Sequence, residues 1–145
     1  MYLPRYHYKT NPGFLDYEFI SEGPKGNIKK IIRFTQISNS VFNLAFGDLD
    51  ELTGEISDVT VTNNDDSRKV LATVAATVYD FTNHNPGSLV IAKGSTLSRT
   101  RLYRMGITNH WKEISRDFEV YALNDGNWEV FTEGGSYEAF LIRRK

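Results

Sequence analysis

The sequence predicts an α+β domain. It has a mixed, mainly antiparallel sheet and two main helices, in the order β-β-β-β-α-β-α-β-β-β. Three observations carry this reading. Apolar residues alternate at period two over roughly the first sixty residues and again over roughly the last thirty, as strands with one buried face do. Between these regions two stretches switch to helical spacing. No internal repeat or low-complexity linker interrupts the 145 residues, so residues 1–145 read as a single domain. A chain of that size buries about 70 % of its unfolded surface.

The elements follow in order. Tyr17 to Glu22 is a strand that ends at the turn cluster Gly23-Pro24-Lys25-Gly26-Asn27. Ile28 to Ile37 returns with Ile28, Ile32 and Phe34 on one face. Val41 to Gly47 places Phe42, Leu44 and Phe46 on one side and Asn43 and Ala45 on the other. Glu55 to Thr62 is a more polar fourth strand, short or at an edge. Asn63-Asn64-Asp65-Asp66 is a helix-entry signal, because short polar side chains cap free N–H groups there. Val70, Leu71, Val74, Ala75, Val78 and Phe81 then form one apolar helical face, with Thr73 on the polar flank, and Asn85-Pro86-Gly87 stops the helix. Leu89 to Ala92 is a continuous apolar run, expected as a central strand covered on both faces. Gly94-Ser95-Thr96 leads into a second helix, roughly Leu97 to Arg116, whose buried side carries Leu102, Tyr103, Ile107, Trp111 and Ile114. Phe118 to Leu123 and Trp128 to Phe131 form a hairpin about Asn124-Asp125-Gly126-Asn127. Tyr137 to Ile142 is the last strand, and Arg143-Arg144-Lys145 a solvated tail.

Composition narrows the function. With 17 Lys and Arg against 18 Asp and Glu, the net charge of −1 excludes a bulk polybasic binder. The absence of cysteine excludes thiolate catalysis, disulfide scaffolds and Cys-type zinc sites. His7, His84 and His110 lack metal-ligand spacing, and no nucleotide loop, dinucleotide fingerprint or nucleophile elbow occurs. No cofactor is therefore expected. No apolar run reaches the ~18 residues of a membrane span. The first residues, Met1-Tyr2-Leu3-Pro4-Arg5-Tyr6-His7, show no secretion signal, which leads to the expectation of a cytoplasmic protein with no membrane partner.

The segments Ser21–Lys30, Val70–Val78 and Lys93–Arg104 resemble a family of uncharacterised bacterial proteins of about this length from Bacteroidetes. That likeness runs over nearly the whole chain and implies no activity. A second, more distant likeness is architectural. The order of elements, the entry Thr62-Asn63-Asn64 into the first helix and the run Leu89 to Ser95 resemble the ribonuclease-H-like fold. That chemistry needs several carboxylates around two Mg²⁺ ions about 4 Å apart. Gly94 and Ser67 stand where two of the acids would be, so the resemblance implies a non-catalytic relative that does not cleave RNA–DNA hybrids.

Two charged segments are the candidate sites. The stretch from Lys93 to Arg104 holds Arg99, Arg101 and Arg104 with no acid, next to the hydroxyls of Ser95, Thr96 and Ser98 at a helix start. Free helix N–H groups and arginines suit a phosphate, so Ser95, Thr96, Arg99, Arg101 and Arg104 are candidate anion-binding residues. The bland reading is an ordinary helix cap with solvated arginines. Lys25, Lys29, Lys30 and Arg33 form a basic hairpin beside Tyr17 and Phe19, a pattern that suits phosphate contact with base stacking. Lysines also protect strand edges. The segment Asp48 to Asp66 carries seven acids and no base; its spacing departs from a Ca²⁺ loop, and it should lie away from an anion site. The function expected is a non-catalytic binding domain for nucleic acid or a phosphorylated ligand. Two alternatives remain open: a small enzyme acting on a phosphorylated or nucleotide substrate, and a protein-interaction module of a bacterial toxin–antitoxin or defence pair.

Overall fold

The computed structural model describes residues 4–57, 63–94 and 96–145. Its strands are β1 (Lys9–Thr10), β2 (Asp16–Gly23), β3 (Gly26–Ser38), β4 (Val41–Asp50), β5 (Glu55–Ile56), β6 (Leu89–Ala92), β7 (Phe118–Asn124), β8 (Asn127–Val130) and β9 (Ala139–Arg144). Its helices are α1 (Ser67–His84), α2 (Leu97–Asn109) and α3 (Trp111–Asp117). The protein is α+β, as its alternation foretells. The sheet runs β1-β2-β3-β4-β6-β9-β7-β8, with β5 folded onto the end of β4. Every pair is antiparallel except β4 with β6, which the α1 crossover joins in parallel.

All three helices lie on one side of the sheet. Phe34 on β3 stacks on Phe81 of α1 with ring centroids 4.1 Å apart, and Phe42 meets the same ring edge-on. Register places Ile32, Phe34, Phe42, Leu44, Val90, Ile142 and Val120 on this face, where all are buried. The other face, bearing Arg33, Ala45, Ile91, Leu141 and Tyr121, receives no helix. Among the described residues, the apolar run of β6 therefore has a helix layer on one side only, which corrects the expectation of cover on both.

Three other expectations change, and a fourth, the short or edge strand from Glu55 to Thr62, falls largely outside the described residues. The long second helix breaks at His110, which ends α2, begins α3 and bonds its Nδ1 to Gly106 O at 2.9 Å. Of the expected fourth strand only Glu55–Ile56 is observed, and residues 58–62 lie outside the described residues. The C-terminal arginines are not a solvated tail. Arg143 and Arg144 belong to β9; Arg144 donates to Tyr79 O at 3.0 Å and covers the Tyr79 and Phe118 rings, a cation–π contact that holds the strand end. Thr73 is fully buried, because the segment before β1 crosses α1 and Tyr6 donates its amide to Thr73 Oγ1 at 2.8 Å.

Three tyrosines pin layers together through carboxylates. Tyr17 donates to Asp80 at 2.9 Å, Tyr79 to Asp117 at 2.7 Å and Tyr6 to Asp66 at 2.6 Å. Burial first, and then the neighbouring carboxylate, raises the Tyr17 and Tyr79 phenols well above their ordinary value. Asp66 occupies the α1 N-cap position without capping it, since its carboxylate is taken by Tyr6 and by Ser21 at 2.5 Å.

Candidate functional site

β6 ends at Ala92 while its neighbour β4 continues to Asp50, which leaves a notch in the sheet. A cavity of about 360 Å³ fills this notch, lined by Asn43, Ala45 and Phe46 of β4, Ile56, Lys93 and Gly94 after β6, and Arg99 and Tyr103 of α2. The turn from β6 into α2 is tight. Gly94 donates its amide to Thr100 Oγ1 at 3.1 Å, and a side chain at Gly94 would collide with the Thr100 amide nitrogen. Gly94 is thus a packing requirement where the ribonuclease-H-like likeness would set an acid. Gly47 has a matching role, because a Cβ there would come within 2.8 Å of Ile56 Cγ2.

Arg99 forms one wall. It donates to Ser57 O at 2.6 Å, which anchors the guanidinium against the strand segment opposite. Lys93 is exposed at the rim, Asn43 presents its amide from β4, and no described residue lining the cavity is acidic. Burial pushes the Tyr103 phenol up to about 12, with the Arg99 charge working against that rise. The arrangement offers two cations, an amide and a neutral phenol in a space at the small end of ligand cavities, roughly 300–1,000 Å³.

The four described candidate anion-binding residues, Thr96, Arg99, Arg101 and Arg104, do not converge. Arg99 lines the cavity, and Thr96 caps α2 by accepting from the Arg99 amide at 3.2 Å. Ser95 lies outside the described residues. Arg101 is exposed and, at 100° per residue, about 160° around the helix from Arg99. Arg104 points elsewhere and donates to Gly135 O at 3.3 Å. Sequence reasoning missed Asn43 as a wall of the site. Its only signal was the strand alternation that set it opposite Phe42 and Leu44.

The basic hairpin has acidic partners. Lys29 lies 3.4 Å from Glu51, and Arg33 donates to Asp16 at 2.9 Å and to Glu55 at 3.0 Å. Lys30, only 1 % exposed, pairs with Asp48, its cross-strand partner on the helix side. Lys25 is exposed in the β2–β3 turn. Tyr17 and Phe19 are core side chains with no face open for a base, which corrects the stacking expectation. Asp48, Glu51 and Glu55 of the acidic segment are thus counter-charges of this hairpin. The segment also does not lie apart from the Lys93–Arg104 region, since Ile56 and Ser57 border the cavity. That juxtaposition is tolerable because Asp48, Glu51 and Glu55 turn to Lys30, Lys29 and Arg33 instead.

Among the described residues, no helix is long and apolar enough to cross a membrane. No curated protein and no solved structure matches the chain, so the ribonuclease-H-like likeness is carried no further. The full-length likeness to uncharacterised proteins does have a counterpart: a family model matches residues 2–145, and the chain belongs to that family of unknown function, DUF6934.

Proposed function

We propose that this protein is a binding domain for a small phosphate-bearing ligand held in the notch between β4, β6 and α2. One observation supports the reading above the others: Lys93 and Arg99 line the same 360 Å³ cavity. A phosphate there gains charge-assisted hydrogen bonds from a guanidinium already fixed by Ser57, so little side-chain entropy is lost on binding. The size of the cavity favours a ligand no larger than a mononucleotide over a long nucleic acid, whose backbone needs an extended basic track. The charge-balanced hairpin of Lys29, Lys30 and Arg33 supplies no such track.

Titration calorimetry with inorganic phosphate, pyrophosphate and a nucleoside monophosphate at low salt tests the proposal. Arg99→Ala and Lys93→Ala should each weaken binding about tenfold or more, the loss of one charge-assisted contact of about 1.5–3 kcal/mol. Arg101→Ala, on the far side of the helix, should leave it unchanged. No phosphate affinity in the wild type, or equal losses at Arg101 and Arg99, would overturn the reading.

A further inference from the structure

We infer that the helix-free face of the sheet over β6, β9, β7 and β8 packs against the same face of a second copy of this chain. The pairing registers place Ile91, Leu141, Tyr121 and Val130 in one row across β6, β9, β7 and β8 on this face. Leu89 flanks the row on one side and Trp128 on the other. Val130 is 69 % exposed and Trp128 46 %, a large apolar surface to leave in water. The parallel pair β4–β6 lies at the start of this patch, and parallel strands ordinarily have both faces covered.

The chemistry of the patch selects a second copy as its occupant. Its charged pair, Arg143 with Glu119 at 2.5 Å, is self-neutralised, so two such faces meet without like-charge repulsion. Nothing in it offers the cationic excess that a nucleic acid requires. Four strands at about 4.8 Å spacing and about four residues of each at 3.3 Å give a projected footprint of roughly 250 Å². Side-chain relief and the polar rim add to this on each copy and leave the contact at the small end of protein interfaces. An association of that size is reversible rather than obligate.

Sedimentation equilibrium from 1 to 200 µM reads the inference. The wild type should pass from monomer to dimer across this range. Leu141→Asp should weaken association at least 100-fold, while Leu52→Asp, on a fully exposed leucine off the patch, should leave it unaltered. Should Leu141→Asp fail to fold, dilution of the wild type carries the test: Trp128 emission should shift red and become more accessible to acrylamide as the dimer dissociates. A wild type monomeric at 200 µM, a folded Leu141→Asp that dimerises normally, or emission independent of concentration would each overturn the inference. So would a dimer abolished by Val130→Pro but not by Leu141→Asp, because that pattern marks edge pairing through the outward amides of β8.

Discussion

The two halves of the helix-free sheet face solve one problem in opposite ways. Over the middle of β3 and the start of the β4–β5 hairpin, the chain covers itself. Gly47 gives Ile56 room to lie on the face, its register partner Ile31 is only 2 % exposed, and Asp16, Arg33 and Glu55 form a closed ion-pair network. Over β6, β9, β7 and β8 no described segment returns, and the surface is mainly apolar, with the single ion pair Arg143–Glu119. Both halves belong to one continuous sheet with one core beneath. The difference shows that the amphipathic strand pattern fixes which side chains leave the helix face, whereas chain connections decide whether those side chains stay in water.

The largest expected effect contrasts Ile31 with Leu141, which occupy the same face in different halves. Ile31→Asp should cost about 4 kcal/mol in urea unfolding, because the carboxylate is buried without a partner. Leu141 keeps part of its side chain in solvent, so Leu141→Asp should cost the monomer less, about 1–2 kcal/mol; equal losses would erase the distinction between the halves. Next comes the buried ion pair on the opposite, helix-facing side of the same strands. Lys30→Met should destabilise by about 3 kcal/mol by leaving Asp48 without its buried cation, and Lys30→Met/Asp48→Leu should recover most of that loss. A double variant no better than the single one would show that the pair does not act as a unit.

A smaller effect concerns alkaline pH. The folded phenols of Tyr17, Tyr79 and Tyr103 titrate above the unfolded value, so the stability they lend is full below about pH 10. It falls as pH rises through the folded values, the one at Tyr103 being about 12. Melting temperatures between pH 8 and 12 should drop above pH 10, and Tyr103→Phe should flatten the decline; a flat wild-type profile would contradict the assignment. The smallest effect is at Gly106, inside α2. A methyl there meets Leu71 at an ordinary 3.6 Å, so Gly106→Ala should stabilise by about 0.5–1 kcal/mol without altering self-association. A loss of stability would mean that α2 cannot yield those contacts.

Local patterns made much of this legible. The alternation at Phe42, Leu44 and Phe46 and the helical spacing from Val70 to Phe81 gave the correct buried faces, since each depends only on period and burial. The break at His110 carried no Pro or Gly signal. The burial of Thr73 depends on Tyr6, 67 residues away in sequence, in a segment without strand periodicity. Lys30 and Asp48 looked like members of separate charge runs, and only the hairpin register makes them partners. Arg99, Lys93 and Asn43 meet because β6 stops short of β4, a strand-length mismatch that no motif encodes.

Isoleucine methyl resonances test the account most directly, because its parts fall on different isoleucines of one sheet. Raising the protein from 20 to 400 µM should shift Ile91 on the open half and leave Ile31 and Ile56 unmoved, whereas adding phosphate at low concentration should shift Ile56 beside the cavity and leave Ile31 unmoved. Concentration shifts at Ile31 and Ile56 with a silent Ile91 would contradict the division of the sheet, and a silent Ile56 under phosphate would contradict the site.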